Sequence, residues 1–246
     1  MKNEFEKKMK YVGVILYLIS LIFFSVTVGL EIITVGVGII KFSGFLFFIS
    51  TLYVFLFFVP TISFRKFFYI YILIGIGCRI FLSLSTPLWE DDWARYLWEG
   101  SLVLERVSPY SNPPLDFFDT GELITGDRGM EILSRINHPD WPAIYTPIIL
   151  FYFALCSFIS PFSIFLLKIS YIIIDLSVVY LIKSMSNKKA AILYFLSPIL
   201  LREIFINAHF ELIPIFFLLS SIYFQKKNSK EYPQFSLDWR FIPNFI

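Results

Sequence analysis

The sequence contains little charge and little cysteine, and both shortages restrict what the protein can be. Only 16% of its 246 residues are charged, whereas 57% are hydrophobic and 20% are aromatic. Soluble domains carry about 25% charged residues, so this chain has too few to cover a water-facing surface. The two cysteines, Cys78 and Cys156, lie in apolar runs, which excludes a disulfide-stapled secreted scaffold.

Other absences exclude further classes of protein. The net charge is only +2 and no Lys/Arg cluster is large enough to bind a polyanion, so we expect no nucleic-acid partner. The sequence has no phosphate-binding glycine loop, no GxSxG, no HExxH and no paired CxxC, which are motifs of soluble enzymes. These exclusions leave an all-α polytopic membrane protein as the predicted fold class.

Long apolar runs predict the membrane helices, because a helix needs about 20 mostly apolar residues to cross a bilayer. Six stretches qualify, and a shorter seventh could be tilted or partly inserted. The six are 11–30, 42–62, 67–87, 144–160, 162–182 and 204–224, and the seventh is 190–201. We therefore expect six to seven transmembrane helices in one integral membrane domain.

Basic residues predict the orientation of these helices. Four lysines within the first ten residues precede a long apolar run without a cleavage site, which favours a retained signal anchor. We therefore expect a multi-pass protein of the plasma (inner) membrane with a cytoplasmic N-terminus. Two full crossings between 144 and 182 would leave Lys183, Lys188 and Lys189 outside, against the positive-inside rule. The alternative is that one of those two stretches does not fully cross.

Charge also divides the chain into regions. Residues 1–87 hold the first helices, 88–143 form an acidic loop, 144–225 hold further helices, and 226–246 form a short tail. The loop contains 11 of the 19 acidic residues, four arginines and no lysine, which is typical of an extracytoplasmic segment.

The loop begins with a predicted helix over 89–107. Aromatic and aliphatic side chains follow one face of this helix, and Asp92, Arg95 and Glu99 follow another. This pattern predicts an interfacial helix whose charged face is turned away from lipid. The simpler alternative is an interfacial anchor with solvated charges.

Ionisable side chains provide the candidates for chemistry. Glu90, Asp91 and Asp92 are consecutive carboxylates, whose mutual repulsion favours a bound cation. Arg79, near the outer end of the third helix, could neutralise them.

Polar residues within the later apolar runs are further candidates, since ionisable groups at membrane depth usually face a bundle interior or a wet cavity. Asp175 and Arg202 could pair with each other. Segment 207–211 brings His209 and Glu211 to one helix end. In the loop, prolines make rigid, non-helical segments, and a loop histidine such as His138 is more often structural than catalytic.

The order of these pieces resembles the GT-C superfamily of membrane glycosyltransferases. Within it, the order is similar to the polyprenyl-phosphate-mannose-dependent mannosyltransferases and the catalytic subunit of GPI mannosyltransferase I. The matching segments are 90–92, 95–100, 108–110, 138–139, 145–147, 167–182, 196–198 and 207–211. The resemblance covers roughly residues 84–224, with Ala208 and Glu211 standing where the family has Gly and Asp.

The resemblance implies transfer of a hexose, mannose-like in kind, from a polyprenyl-phosphate donor to an extracytoplasmic glycan, lipid or protein acceptor. Asp92 then matches the family's catalytic acidic residue, with Asp91 beside it, and a carboxylate there could take the proton of an acceptor hydroxyl. The remaining implied residues bind substrate: Arg95, Glu99, Tyr110, His138, Tyr145, Arg202, His209 and Glu211. The family is mixed in metal use, so any divalent cation, Mg or Mn, would be held by Asp91 and Asp92.

Members of the superfamily commonly have more spans than this chain. We therefore expect a fragment, a remnant, half of a split enzyme or a minimal version, with a second subunit as a possible source of further helices. The runner-up hypothesis is a non-catalytic or split-enzyme subunit that retains only the lipid-binding module. A transporter or flippase ranks last, because no inverted repeat accompanies the intramembrane charges.

Overall fold

Helices account for all regular structure in the described part of the chain. The computed structural model describes residues 2–32, 38–88, 90–119 and 122–231, so the tail beyond 231 lies outside it. The helices are α1 (Lys2–Gly29), α2 (Ile39–Tyr53), α3 (Thr61–Lys66), α4 (Phe68–Leu84), α5 (Asp92–Leu104), α6 (Glu122–Leu133), α7 (Pro147–Ile159), α8 (Ile164–Met185), α9 (Lys188–Phe195), α10 (Pro198–Leu200) and α11 (Leu212–Glu231). The predicted all-α class is confirmed.

Three of these helices are long and apolar enough to cross a membrane, which indicates a membrane protein. They are Lys8–Gly29 within α1, Ile39–Phe58 formed by α2 and a 3₁₀ extension, and α8. The helices α4 and α7 are apolar but shorter. The stretch predicted as one span over 204–224 is divided, because a π-helical turn ends at Ile206 and α11 begins only at Leu212.

One end of the bundle gathers basic side chains, and we call it the basic end. There the Tyr11 hydroxyl lies 3.0 Å from the Ser63 hydroxyl, which joins the start of α1 to α3. The Lys189 ammonium donates to the carbonyl of Val59 at 3.0 Å, and the Lys188 ammonium lies 5.1 Å from the Phe68 ring centroid. The ends of α2 and α8 and the starts of α4 and α9 therefore meet at the basic end.

The opposite end carries the acidic loop, and we call it the loop end. The Lys168 ammonium, buried in the first turns of α8, donates to the carbonyls of Leu82 and Ser85 at 2.8 Å each. These bonds satisfy carbonyl groups at and just beyond the C-terminus of α4, which a helix leaves without intrahelical partners. The C-terminus of α4 and the N-terminus of α8 therefore lie together at the loop end.

Helix α7 stays at the loop end. Its 13 residues span only about 20 Å, against about 30 Å for a bilayer core. It begins beside α5, where the Tyr145 and Tyr96 rings lie 5.3 Å apart, and it leads directly into the start of α8.

A buried ion pair connects α4 and α8 in the middle of the bundle. The Arg79 guanidinium contacts Oδ2 of Asp175 at 2.6 Å, and the Tyr194 hydroxyl of α9 donates to Oδ1 at 2.6 Å. The guanidinium also lies 3.5 Å from the Phe195 ring centroid. Two predictions are therefore wrong: Arg79 does not neutralise the loop carboxylates, and Asp175 does not pair with Arg202.

Helix α5 forms where a helix was predicted, but its surroundings differ from the prediction. Ten consecutive residues, 93–102, are buried, since α6 and α7 pack against the helix. At Gly100 the backbones are so close that an added Cβ would lie 2.6 Å from the carbonyl carbon of Phe153. The face expected to lie on lipid therefore packs against protein.

The buried ion pair leads to a prediction about the free energy of unfolding. Asp175→Asn should destabilise the fold by about 3–5 kcal/mol, because it leaves the Arg79 charge buried without its counterion. The double variant Arg79→Met/Asp175→Leu should lose less than either single variant, since it removes both charges. Unfolding of the purified protein in detergent measures this, and single variants within about 1 kcal/mol of the parent would contradict it.

Candidate functional site

A cleft of about 800 Å³ opens at the loop end, a size typical of small-molecule sites. Its walls come from the start of α5, the segment 137–146, the start of α7 and residues 210–217 around the start of α11. The polar lining side chains are Asp92, Arg95, Asn137, His138 and Thr146. The cleft therefore combines a polar side, mainly from the loop, with an apolar side from the helices.

The apolar side is open to the surroundings of the bundle. Ile144, Ile148, Pro214 and Phe217 line the cleft, and each is an exposed residue. All four lie at or near the starts of α7 and α11. An amphiphile could therefore place its apolar part here and its polar part near the loop.

Four aromatic rings hold the walls of the cleft together. Tyr96 of α5 stacks on Phe153 of α7 at 4.6 Å between centroids. Phe210 lies 5.7 Å from Tyr96 and 5.2 Å from Tyr145. Such pairs contribute about 0.5–1.5 kcal/mol each beyond their buried area, so this cluster joins α5, the loop, α7 and the approach to α11.

Arg95 fixes the loop against α5. Its NH1 contacts Oε1 of Glu99 at 2.8 Å, and its NH2 donates to the carbonyls of His138 and Trp141 at 2.8 Å each. These bonds use three of the five N–H donors of a guanidinium. Arg95 therefore lines the cleft and shapes it at the same time.

Glu99 lies behind Arg95 and is 1% exposed. Burial raises the pKa of its carboxyl from 4.5 to about 7, an effect that the positive charge of Arg95 only partly offsets. The charge of Asp92 raises this pKa a little further. Its Oε2 is buried without a hydrogen-bond partner within the described part of the chain, which adds to the cost of placing a charge at this position.

The two adjacent aspartates occupy different positions. Asp92 is exposed, lies in the first turn of α5 and lines the cleft, and a negative charge is favourable at a helix N-terminus. Asp91 is the residue before the helix and is half-buried. Burial raises the pKa of the Tyr96 phenol, and Tyr145, Asp92 and Glu211 lie close enough to raise it further.

Tyr110 braces the loop from outside. Its hydroxyl donates to the carbonyl of Tyr145 at 2.6 Å, and the Ala143 amide donates to the carbonyl of Pro109 at 2.9 Å. These bonds join the two proline-rich segments of the loop. Tyr110 itself is exposed and supports Tyr145, which lines the cleft.

A second polar cluster surrounds the π-helical turn Leu201–Ile206. His209 Nδ1 lies 3.1 Å from Glu203 Oε2, and Nε2 lies 3.7 Å from Glu90 Oε2. Arg202 NH1 contacts Glu203 Oε1 at 2.5 Å. The cluster therefore joins the turn to the segment that precedes α5.

The chain reverses at Ala208, whose φ of +64° lies in the left-handed region that favours glycine. This reversal sends His209 back towards Glu203 and places Phe210 in the aromatic cluster. The segment 207–211 was predicted to gather polar side chains at a helix end, and the structure places it at the start of α11. Arg202, His209 and Glu211 lie outside the lining of the cleft.

Asp91 and Asp92, the residues expected to hold a cation, have no third protein ligand beside them among the described residues. Among the described residues, no group of three or more His, Cys, Asp or Glu side chains is arranged to hold a metal ion. Asp91 and Asp92 therefore do not form a ligand set with a third side chain, and binding of Mg or Mn there stays a prediction.

Most of the lining residues were not among the predicted site residues, and Asn137, Trp141 and Phe210 are three of these. Asn137 and Trp141 lie close to His138 in a proline-containing segment. The prolines indicate a rigid loop, but they do not show which part of the fold this loop packs against. Phe210 lies between His209 and Glu211, and only the fold shows that the ring, rather than its charged neighbours, enters the cleft.

No family model, curated protein or solved structure matches the chain. The resemblance to GT-C glycosyltransferases therefore stands on the sequence motifs alone.

Glu99 makes the stability of the protein depend on pH. Because the pKa is about 7 in the folded state against an ordinary 4.5, the folded state binds this proton more tightly than the unfolded state. The resulting stability is fully present below about pH 4.5 and is lost as pH rises to about 7, by on the order of 2–3 kcal/mol. Glu99→Gln should flatten this dependence.

Unfolding of the detergent-solubilised protein between pH 4 and pH 8 (about the range where Glu99 titrates) measures the effect. Glu131→Gln is the matched control, since Glu131 and its partner Arg135 are both exposed and contribute little. An unchanged pH slope in Glu99→Gln would show that Glu99 is not the group responsible.

Proposed function

We propose that this protein is an integral-membrane glycosyltransferase of the GT-C type. It moves a hexose, mannose-like in kind, from a polyprenyl-phosphate donor to a glycan, lipid or protein acceptor. The observation that carries the proposal is the cleft itself, which combines the Asp92 carboxylate with an apolar side formed at the starts of α7 and α11. This combination suits a substrate with a sugar, a phosphate and an isoprenoid chain.

Asp92 is the proposed base. Its carboxylate takes the proton from an acceptor hydroxyl, and the acceptor oxygen attacks the anomeric carbon of the donor. The bond between that carbon and the phosphate oxygen breaks, and polyprenyl phosphate leaves with the electron pair. Exposure of Asp92 at the edge of the cleft supports this role, because an acceptor can reach it.

The leaving phosphate needs donors more than it needs a proton. Arg95 and His138 line the same cleft, and Arg95 retains two N–H groups beyond its bonds to Glu99 and the loop. Charge-assisted hydrogen bonds to phosphate are among the stronger polar contacts in proteins. A guanidinium held in place before the reaction stabilises the developing charge without reorganisation.

The path of the chain supports six crossings. We propose that α1, α2, α4, α8, the broken segment 188–206 and α11 cross the membrane, while α7 stays at the loop end. The basic end then faces the cytoplasm with Lys183, Lys188 and Lys189, in agreement with the positive-inside rule. The cleft faces the extracytoplasmic side of the plasma (inner) membrane.

Labelling of single cysteines tests this orientation. Asp119→Cys at the loop end should react with a membrane-impermeant maleimide in intact cells, whereas Lys227→Cys in α11 should react only after permeabilisation. The natural cysteines are buried, so the unaltered chain gives the background. The opposite labelling pattern would overturn the proposed topology.

The catalytic proposal is tested by Asp92→Asn. This change should lower transfer from a radiolabelled polyprenyl-phosphate mannose by about 10²–10⁴-fold, the usual contribution of a general base. Asp119→Asn is the matched control, because Asp119 is an exposed aspartate of the same loop outside the cleft.

Transfer that survives Asp92→Asn unchanged would remove Asp92 from the mechanism. An unaltered chain that binds polyprenyl phosphate and never turns over the loaded donor would instead support a non-catalytic or split-enzyme subunit.

A further inference from the structure

We infer that Trp141, backed by His138, forms a stacking platform for a pyranose ring at the edge of the cleft. The inference rests on the proposed function, because it names the subsite that would hold a sugar there. The two aromatic rings lie almost parallel, 4.5 Å apart at 14°. Trp141 lines the cleft and is still 54% exposed, although His138 covers one face of its indole.

The platform is rigid before any ligand arrives. Arg95 holds the backbone carbonyls of both His138 and Trp141 at 2.8 Å, and the Trp141 amide donates to the carbonyl of His138 at 3.1 Å. Pro139 and Pro142 restrict the backbone at the intervening and following positions. A flat side chain that is already ordered loses little conformational entropy on binding.

The surroundings of the indole suit a sugar. One face of a hexopyranose presents C–H groups, which carry partial positive charge, and the face of an indole carries the negative part of its quadrupole. Hydroxyl groups at the rim of the sugar need polar partners, and Asp92, Asn137 and Thr146 line the same cleft. A pyranose on Trp141 would therefore lie in the same cleft as the proposed base.

A simple membrane anchor does not require this arrangement. Tryptophan is common at membrane interfaces because its ring is apolar at one end and polar at the other. Such an anchor needs an exposed indole but no aromatic ring stacked behind it and no guanidinium that holds both backbone carbonyls. The two roles predict different effects of substituting Trp141. A membrane anchor tolerates leucine at this position, whereas a stacking platform needs an aromatic ring.

The test is saturation-transfer NMR with methyl α-mannopyranoside and the intact protein in nanodiscs. Trp141→Phe should retain binding within about threefold, and Trp141→Leu should weaken it by about tenfold, which is the upper range for an aromatic contact. Phe118→Leu is the matched control, since Phe118 is an exposed aromatic residue of the same loop outside the cleft. It should bind like the unaltered chain.

The outcomes separate this inference from the proposed function. If Trp141→Leu binds the glycoside as tightly as the unaltered protein does, the platform is overturned, even if Asp92→Asn still abolishes transfer. Glycoside binding that depends on the aromatic ring, in a protein that transfers no sugar from polyprenyl-phosphate mannose, would support the platform and overturn the proposed function. Loss of binding in Phe118→Leu to the same extent would also overturn the platform, because it would show a general loss of fold.

Discussion

The ion pair between Arg79 and Asp175 is the contact on which the arrangement of the bundle depends. A guanidinium and a carboxylate cannot be buried among apolar helices unless each satisfies the other. Here the pair fixes the depth of α4 against α8, while Tyr194 and Phe195 bring α9 to the same point. The elements that lead into the loop end are thereby set relative to each other.

Arginine has the same structural task at the loop end. Arg95 lines the cleft, where its charge suits a phosphate. Three of its N–H donors nevertheless bind Glu99 and two loop carbonyls. The planar fork of a guanidinium suits such multiple contacts better than an ammonium group would. The proposed site therefore depends on one residue both for its shape and for its charge.

The polar cluster around His209 and the cleft lined by Asp92 are neighbours with separate structural roles. Glu90, which contacts His209, is only two residues before Asp92, and Phe210 follows His209 into the aromatic wall of the cleft. The π-helical turn Leu201–Ile206 carries Glu203, which contacts His209, and such irregular turns are found often at functional sites. The turn positions both the approach to α5 and the wall opposite it.

Composition and patterning alone indicated a helical membrane protein, because apolar runs of this length with so little charge are typical of helices that cross a bilayer. They also identified the acidic loop, its helix and the motifs that contain Asp92, Arg95 and His138. Sequence could not show that Arg79 pairs with Asp175, since partners 96 residues apart depend on how the helices pack. The burial of α5, the position of α7 at the loop end and the placement of Trp141 and Phe210 in the cleft were decided only by the tertiary structure. Each of them follows from contacts between segments that are distant in the sequence.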